Sequence, residues 1–222
     1  MSTRKTLYPL LMALFCVVLV LSNTTAVRLV QLGPLVATAA IVLFPIAYVL
    51  GDVITEVYGY KKAQRVCWIG VFCNGLMVLT YVVTIALPGV IPEFDAIYAQ
   101  VLGQVPRIVV ASMIGLWAGQ LTNAYVLSRL KVATQGRFLW LRTITSTLVG
   151  EAVDTALFAG LAFYGVVPPE VLWQMIWTCT LFKSAYETAI TPVTYVVVTA
   201  LKRYEGLDTF DTNISYNPFK GG

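Results

Sequence analysis

Four ionisable residues, Glu151, Asp154, Lys183 and Glu187, lie in the two most C-terminal of a series of long apolar runs. A charge at the centre of a bilayer costs roughly 2.5–3.5 kcal/mol on insertion scales, so such residues are rare and usually face a protein interior or a polar cavity. Glu151 and Asp154 are spaced i, i+3 and share a helix face that Phe158 continues; Lys183 and Glu187 are spaced i, i+4 and share another. At 1.5 Å per helical residue, Glu151 is about 13 Å and Asp154 about 18 Å from Arg142, while Lys183 is about 21 Å and Glu187 about 27 Å from Pro169. In a hydrocarbon core ~30 Å thick, the four share one central-to-inner layer. Three acids against one base leave two readings. Buried ion pairs could staple the two helices together. Alternatively, a surplus carboxylate could meet a donor-rich or cationic ligand, with an acid held protonated by burial.

Asn74, Gln120 and Asn123 approach the same layer and could be ligand contacts or interhelical glue. Trp173 and Trp177, spaced i, i+4, suit either a membrane-interface belt or a stacking face near a site. Asp52 and Glu56 lie toward the inner end of the second apolar run, where they read either as an interfacial cap paired with Lys61, Lys62 or Arg65 or as part of the polar layer. The chain has no His, which removes histidine metal sites and histidine bases. Cys16, Cys67, Cys73 and Cys179 form no CxxC pair and read as small apolar side chains. There is no activated nucleophile, metal-ligand cluster or Gly-rich nucleotide loop. These features argue against an enzyme and imply no cofactor.

The elements that must position these residues are membrane spans. Of 222 residues, 58% are hydrophobic and 12% charged, against roughly half and a quarter in soluble domains. Six spans of about 20 apolar residues are expected, near 7–27, 35–55, 66–87, 107–128, 143–166 and 170–201. Pro192 falls inside the last. The Arg4–Lys5 start could mimic a signal peptide, but 7–27 is long enough to span and offers no convincing cleavage site, so it reads as a retained helix. Twelve Lys and Arg residues fall on one side of these spans, and only Arg28 and Arg107 on the other. That bias predicts an all-α integral membrane protein with six transmembrane helices and both termini cytosolic. The net charge of +4 is assigned to those cytosolic loops, facing the bilayer, rather than to a nucleic-acid partner. Residues 1–203 form the transmembrane domain and 204–222 a polar cytosolic tail. Between 88 and 106, Phe94, Ile97, Tyr98 and Val101 recur at helical spacing and predict a short amphipathic interfacial helix. Helix faces containing Gly and Ala suit self-association, so a homodimer is expected.

Four motifs in order resemble a known family. Asp52-x-x-Thr55-Glu56-x-Tyr58-Gly59-Tyr60-x-x-Ala63 closes the second span. Arg107-x-x-x-Ala111-Ser112 and Gly119-Gln120-x-x-Asn123 mark the fourth. Arg142-x-x-x-Ser146-x-x-x-Gly150-Glu151-x-x-Asp154-x-x-x-Phe158 marks the fifth, and Lys183-x-x-x-Glu187-x-x-x-x-Pro192 the sixth. Over roughly residues 20–200 the chain resembles the queuosine-precursor transporters, or vitamin uptake transporters, of bacterial inner membranes. That family looks distantly similar to the binding subunits of energy-coupling-factor vitamin transporters. The resemblance implies uptake of 7-cyano-7-deazaguanine and 7-aminomethyl-7-deazaguanine. The expected substrate-binding residues are Glu151, Asp154, Lys183, Glu187, Asn123, Gln120, Asn74, Phe158 and Trp177. The alternative is a substrate-binding subunit for a vitamin-like heterocycle that needs a separate energy-coupling ATPase complex, since the chain has no Walker motif.

Overall fold

The computed structural model describes residues 6–33, 35–165 and 167–211; the side chains of 32, 35, 36, 44 and 187 lie outside that description. Seven helices are described: α1 (Tyr8–Thr25), α2 (Phe44–Tyr58), α3 (Tyr60–Ala86), α4 (Pro92–Leu102), α5 (Val105–Ala133), α6 (Leu139–Phe163) and α7 (Pro169–Glu205). Between α1 and α2 an antiparallel hairpin, β1 (Leu29–Leu32) and β2 (Leu35–Thr38), leads into a 3-10 turn, Ala39–Val42. Four stretches are long and apolar enough to cross a membrane: α1, α3, α6, and Pro92–Ala133, which contains α5.

The second expected span, 35–55, is corrected. Its first half is strand and 3-10 turn, and its helix, α2, has 15 residues, about 22 Å at the helical rise. That is shorter than a ~30 Å hydrocarbon core. α7, with 37 residues, continues as helix past Pro192 to Glu205. The expected amphipathic helix is α4. None of its residues is buried, and Tyr98 Oη lies 3.0 Å from Thr84 Oγ1 of α3.

Phe72 is 71% exposed, Leu76 55% and Val17 54%, whereas Asp52, Asn74, Asn123, Ser146, Glu151 and Asp154 are at most 1% exposed. Many large apolar side chains therefore face outward, as in a protein surrounded by lipid, and these polar ones share the interior with buried apolar residues such as Phe15, Leu19 and Ile54. The tightest seam joins α5 to α6. A Cβ on Gly119 would lie 2.7 Å from the Gly150 carbonyl oxygen, and one on Gly150 would lie 2.8 Å from that of Gly119. A Cβ on Gly115 would lie 2.8 Å from the Asp154 carbonyl oxygen. With no side-chain layer between them, the two backbones touch, and small residues are what permit this in membranes.

α2 turns into α3 at Gly59 alone, at φ +87°, a region that favours glycine. A Cβ there would also lie 2.8 Å from Thr209 Cγ2. The polar tail folds back here: residues 206–211 lie across the ends of α2 and α5, so the packed unit extends beyond the expected boundary at 203.

Candidate functional site

Helices α2, α5, α6 and α7 surround a series of polar layers. The layer nearest the hairpin contains a cavity of about 30 Å³, room for one or two water molecules. Asn23 of α1, Thr38 of β2, Ser112 of α5, and Asp154, Thr155 and Phe158 of α6 line it, with Cys179 and Lys183 of α7. Lys183 Nζ donates to Asp154 Oδ2 at 2.9 Å and to Thr155 Oγ1 at 3.3 Å. It also lies 5.8 Å from the centroid of the Tyr48 ring. The two charged groups come together because α6 and α7 run antiparallel and place them at one depth. Asn23 reaches the cavity from behind, its Nδ2 donating to Asn74 Oδ1 at 2.5 Å; Asn74 in turn donates to the Gly70 carbonyl.

One turn from Asp154, Glu151 accepts from Ser184 Oγ through Oε2 at 3.3 Å. Next to it, Asp52 accepts from Asn123 Nδ2 at 2.6 Å and from Thr147 Oγ1 at 3.4 Å. Gln120 fits against the α2 backbone because residue 51 is glycine; a Cβ there would lie 1.8 Å from Gln120 Nε2. Five acceptor oxygens in these layers are buried without a donor: Asn23 Oδ1, Gln120 Oε1, Asn123 Oδ1, Glu151 Oε1 and Asp154 Oδ1. A buried acceptor left unsatisfied costs about 1–3 kcal/mol. The hydroxyls of Ser22, Ser112 and Thr180 are buried without a partner as well and can donate as well as accept, so the interior suits a ligand that carries both N–H groups and an acceptor.

At the far end, Glu56 is held by three cations. Arg142 donates to both its oxygens, at 3.0 and 3.4 Å, while Lys202 lies 2.7 Å and Lys131 3.4 Å from Oε1. The expected partners Lys61, Lys62 and Arg65 are exposed instead, and Lys62 lies over the rings of Tyr8 and Tyr58. Asp208 bridges Lys131 and Lys202 at 2.9 and 3.0 Å. Partial burial pushes the Asp208 carboxyl up, but the hydrogen bonds from the two lysines outweigh it and hold the group below its ordinary value.

Of the expected site residues, Asp154, Phe158 and Lys183 line the cavity, and Asn74 stands one residue behind it. Glu151, Gln120 and Asn123 form the adjoining buried layer. Trp177 is 62% exposed and faces away from the interior. Glu187 lies on α7, with its side chain outside the described residues. Thr38, Thr155 and Ser112 line the cavity without having been singled out as binding residues. The Gly33-Pro34 turn between two four-residue apolar runs was the available signal for the hairpin that brings in Thr38. Among the described residues no group of His, Cys, Asp and Glu could hold a metal ion.

Comparison with known proteins adds a lineage. A family model described as "Putative vitamin uptake transporter" matches residues 38–197, well over half of the chain. A Bacillus subtilis (strain 168) protein named "Probable queuosine precursor transporter" is 29% identical over 180 residues, covering 79% of this chain and 78% of that protein. The Escherichia coli (strain K12) "Queuosine precursor transporter" is 29% identical over 121 residues, 54% of this chain and 52% of that protein. No solved structure matches.

Proposed function

The chain belongs to the vitamin uptake transporter family, and from that premise we propose that it takes up queuosine precursors, 7-cyano-7-deazaguanine and 7-aminomethyl-7-deazaguanine, across a bacterial inner membrane. It does so as a six-span protein with both termini in the cytosol. α2 and the hairpin together make the second crossing, and α7 makes the sixth. The hairpin end of the cavity then faces outward, and the Glu56 end faces the cytosol, where the basic residues are concentrated.

The observation that carries the substrate class is the set of buried polar groups without partners around Asp154 and Glu151, carboxylate and amide oxygens together with hydroxyls. A deazaguanine ring presents an N–H beside an exocyclic amine, which one carboxylate can accept as a bidentate pair. Glu151 or Glu187 has that role. The ring carbonyl takes a donor from Lys183, Gln120 or Asn123, Asp154 faces the 7-substituent, and Phe158 offers a stacking face. A cavity of about 30 Å³ is far below the ~300 Å³ of ordinary ligand pockets. On this reading the cavity belongs to a closed form, and binding requires α7 or the hairpin to move away from α6.

Titration of both ligands against two variants tests the assignment. Glu151→Gln should weaken both precursors about tenfold or more, the loss of one charge-assisted hydrogen bond. Asp154→Asn should weaken the cationic aminomethyl form more than the neutral cyano form. Equal losses for Asp154→Asn would remove its role at the substituent, and full-strength binding by both variants and by Glu187→Gln would place the site elsewhere.

A further inference from the structure

The polar layers do not stop at the cavity. Tyr48, Asp52 and Glu56 are spaced i, i+4, i+8 on one face of α2, and Asp154, Glu151, Thr147 and Arg142 descend the facing side of α6. All are at most 3% exposed or nearly fully buried within the same four-helix interior. Hydrogen bonds connect the middle of this column, from Asn123 and Thr147 to Asp52. Such a column through an apolar protein is costly to bury, and packing alone does not require it. It ends at the Glu56 cluster.

That cluster is unbalanced without the tail. Lys131 on α5 and Lys202 on α7 both lie against Glu56 Oε1, and both are bridged on their other side by Asp208 Oδ1. Counting Arg142, three cations meet two carboxylates; without Asp208 they would meet one. Two ammonium groups sharing a single carboxylate oxygen repel each other, and the repulsion acts to part α5 from α7. The rest of the strap strengthens the bridge. Lys131 donates to the Thr209 carbonyl at 2.6 Å, and its Nζ lies 4.5 Å from the centroid of the Phe210 ring. Asp211 Oδ2 accepts from the Tyr60 backbone N–H at 3.0 Å and from Ser128 Oγ at 2.8 Å.

We propose that the Asp52–Asn123–Thr147 layer is the inner part of the transport path, and that residues 206–211 latch an inner gate formed by Glu56, Lys131, Arg142 and Lys202. The idea rests on the transporter reading above and adds to it the route and the closing device. Alternating access then consists of releasing the strap, separating Lys131 from Lys202, and opening the Asp52 layer to the cytosol.

The test uses no substrate, so its failure is distinct from failure of the deazaguanine reading. Thr147→Cys is introduced into the full chain, and a quaternary-ammonium methanethiosulfonate reagent is applied from each side of sealed vesicles. Labelling is measured against the parent carrying its four native cysteines. We expect slow labelling from the side bearing the tail, and a rate about tenfold higher after Asp208→Asn, the effect of one lost charge-assisted hydrogen bond. Ala162→Cys, at the hairpin end, serves as the control. An unchanged rate at position 147, faster labelling from the opposite side, or equal acceleration at position 162 would overturn the gate. If Asp208→Asn fails to insert, a chain ending at Leu207 gives the same reading. Failure of both to yield folded protein would also overturn the proposal, because a latch must be removable.

Discussion

The Lys183–Asp154 pair separates structural from functional roles through a double-mutant cycle. Lys183→Met removes the ammonium 2.9 Å from Asp154 Oδ2 and leaves a carboxylate that is 1% exposed. After the change the carboxylate has lost its ammonium partner. Breaking one side of a buried pair costs about 3–5 kcal/mol, whereas replacing both sides with neutral groups is often close to neutral. The single variant should therefore be far less stable than the double variant Lys183→Met/Asp154→Asn, with a coupling of about 2–3 kcal/mol, the upper part of the range for residues in contact. Denaturant titration of the purified protein in detergent measures this. Binding should behave differently. The double variant regains stability but lacks the cation and the anion that face the cavity, so its affinity for the aminomethyl precursor should remain at least about tenfold reduced. If stability and affinity recover together, the pair is a staple between α6 and α7 and has no role in recognition. If the single variant is as stable as the double, Lys183 and Asp154 are not coupled.

Two further outcomes follow from the geometry. Gly51→Ala should expel the Gln120 side chain, whose Nε2 would lie 1.8 Å from the new Cβ, and lower stability by about 1–3 kcal/mol. Adding Gln120→Ala should restore most of that loss in thermal unfolding, and failure to do so would mean that Gln120 is not the obstacle. The strap should also respond to acid in a defined window. Burial raises the Asp208 carboxyl, but hydrogen bonds from Lys131 and Lys202 lower it overall below the ordinary 3.8. Its contribution to docking is therefore complete above pH 3.8 and is lost only as the pH falls through the lower folded value. A spin label at Leu207→Cys should stay immobile down to that pH and become mobile below it; release at pH 5 to 6 would contradict the assignment.

The sequence made the depth of the charged layer readable, because rise per residue and the positions of Arg142 and Pro169 are enough to place Asp154 and Lys183 side by side. It also marked α4 through the spacing of Phe94, Ile97, Tyr98 and Val101. The hairpin was concealed by composition. Residues 35–43 are as apolar as helix, and only the Gly33-Pro34 turn distinguishes two short strands from the start of a span. The partners of Glu56 are hidden for a different reason. Lys61, Lys62 and Arg65 are near in sequence, but the turn at Gly59 sends them to an exposed face. The actual partners lie 75 to 146 residues away in sequence, and no local pattern reports such pairings. Trp177 is exposed, and i, i+4 spacing alone does not distinguish a belt from a stacking face.

The glycine seam between α5 and α6 determines which parts can move. Where two backbones touch without intervening side chains, neither helix can slide or roll without a collision. Glu151 and Asp154 are carried on that seam. Lys183 is on α7, whose bonds to this block in the charged layer are a few side-chain contacts. In the transport cycle proposed above, the acids would be the stator and the lysine the contact that disengages. A donor-rich substrate that takes the place of the Lys183 ammonium at Asp154 would offset the loss of the ion pair, and occupancy itself would then lower the cost of moving α7.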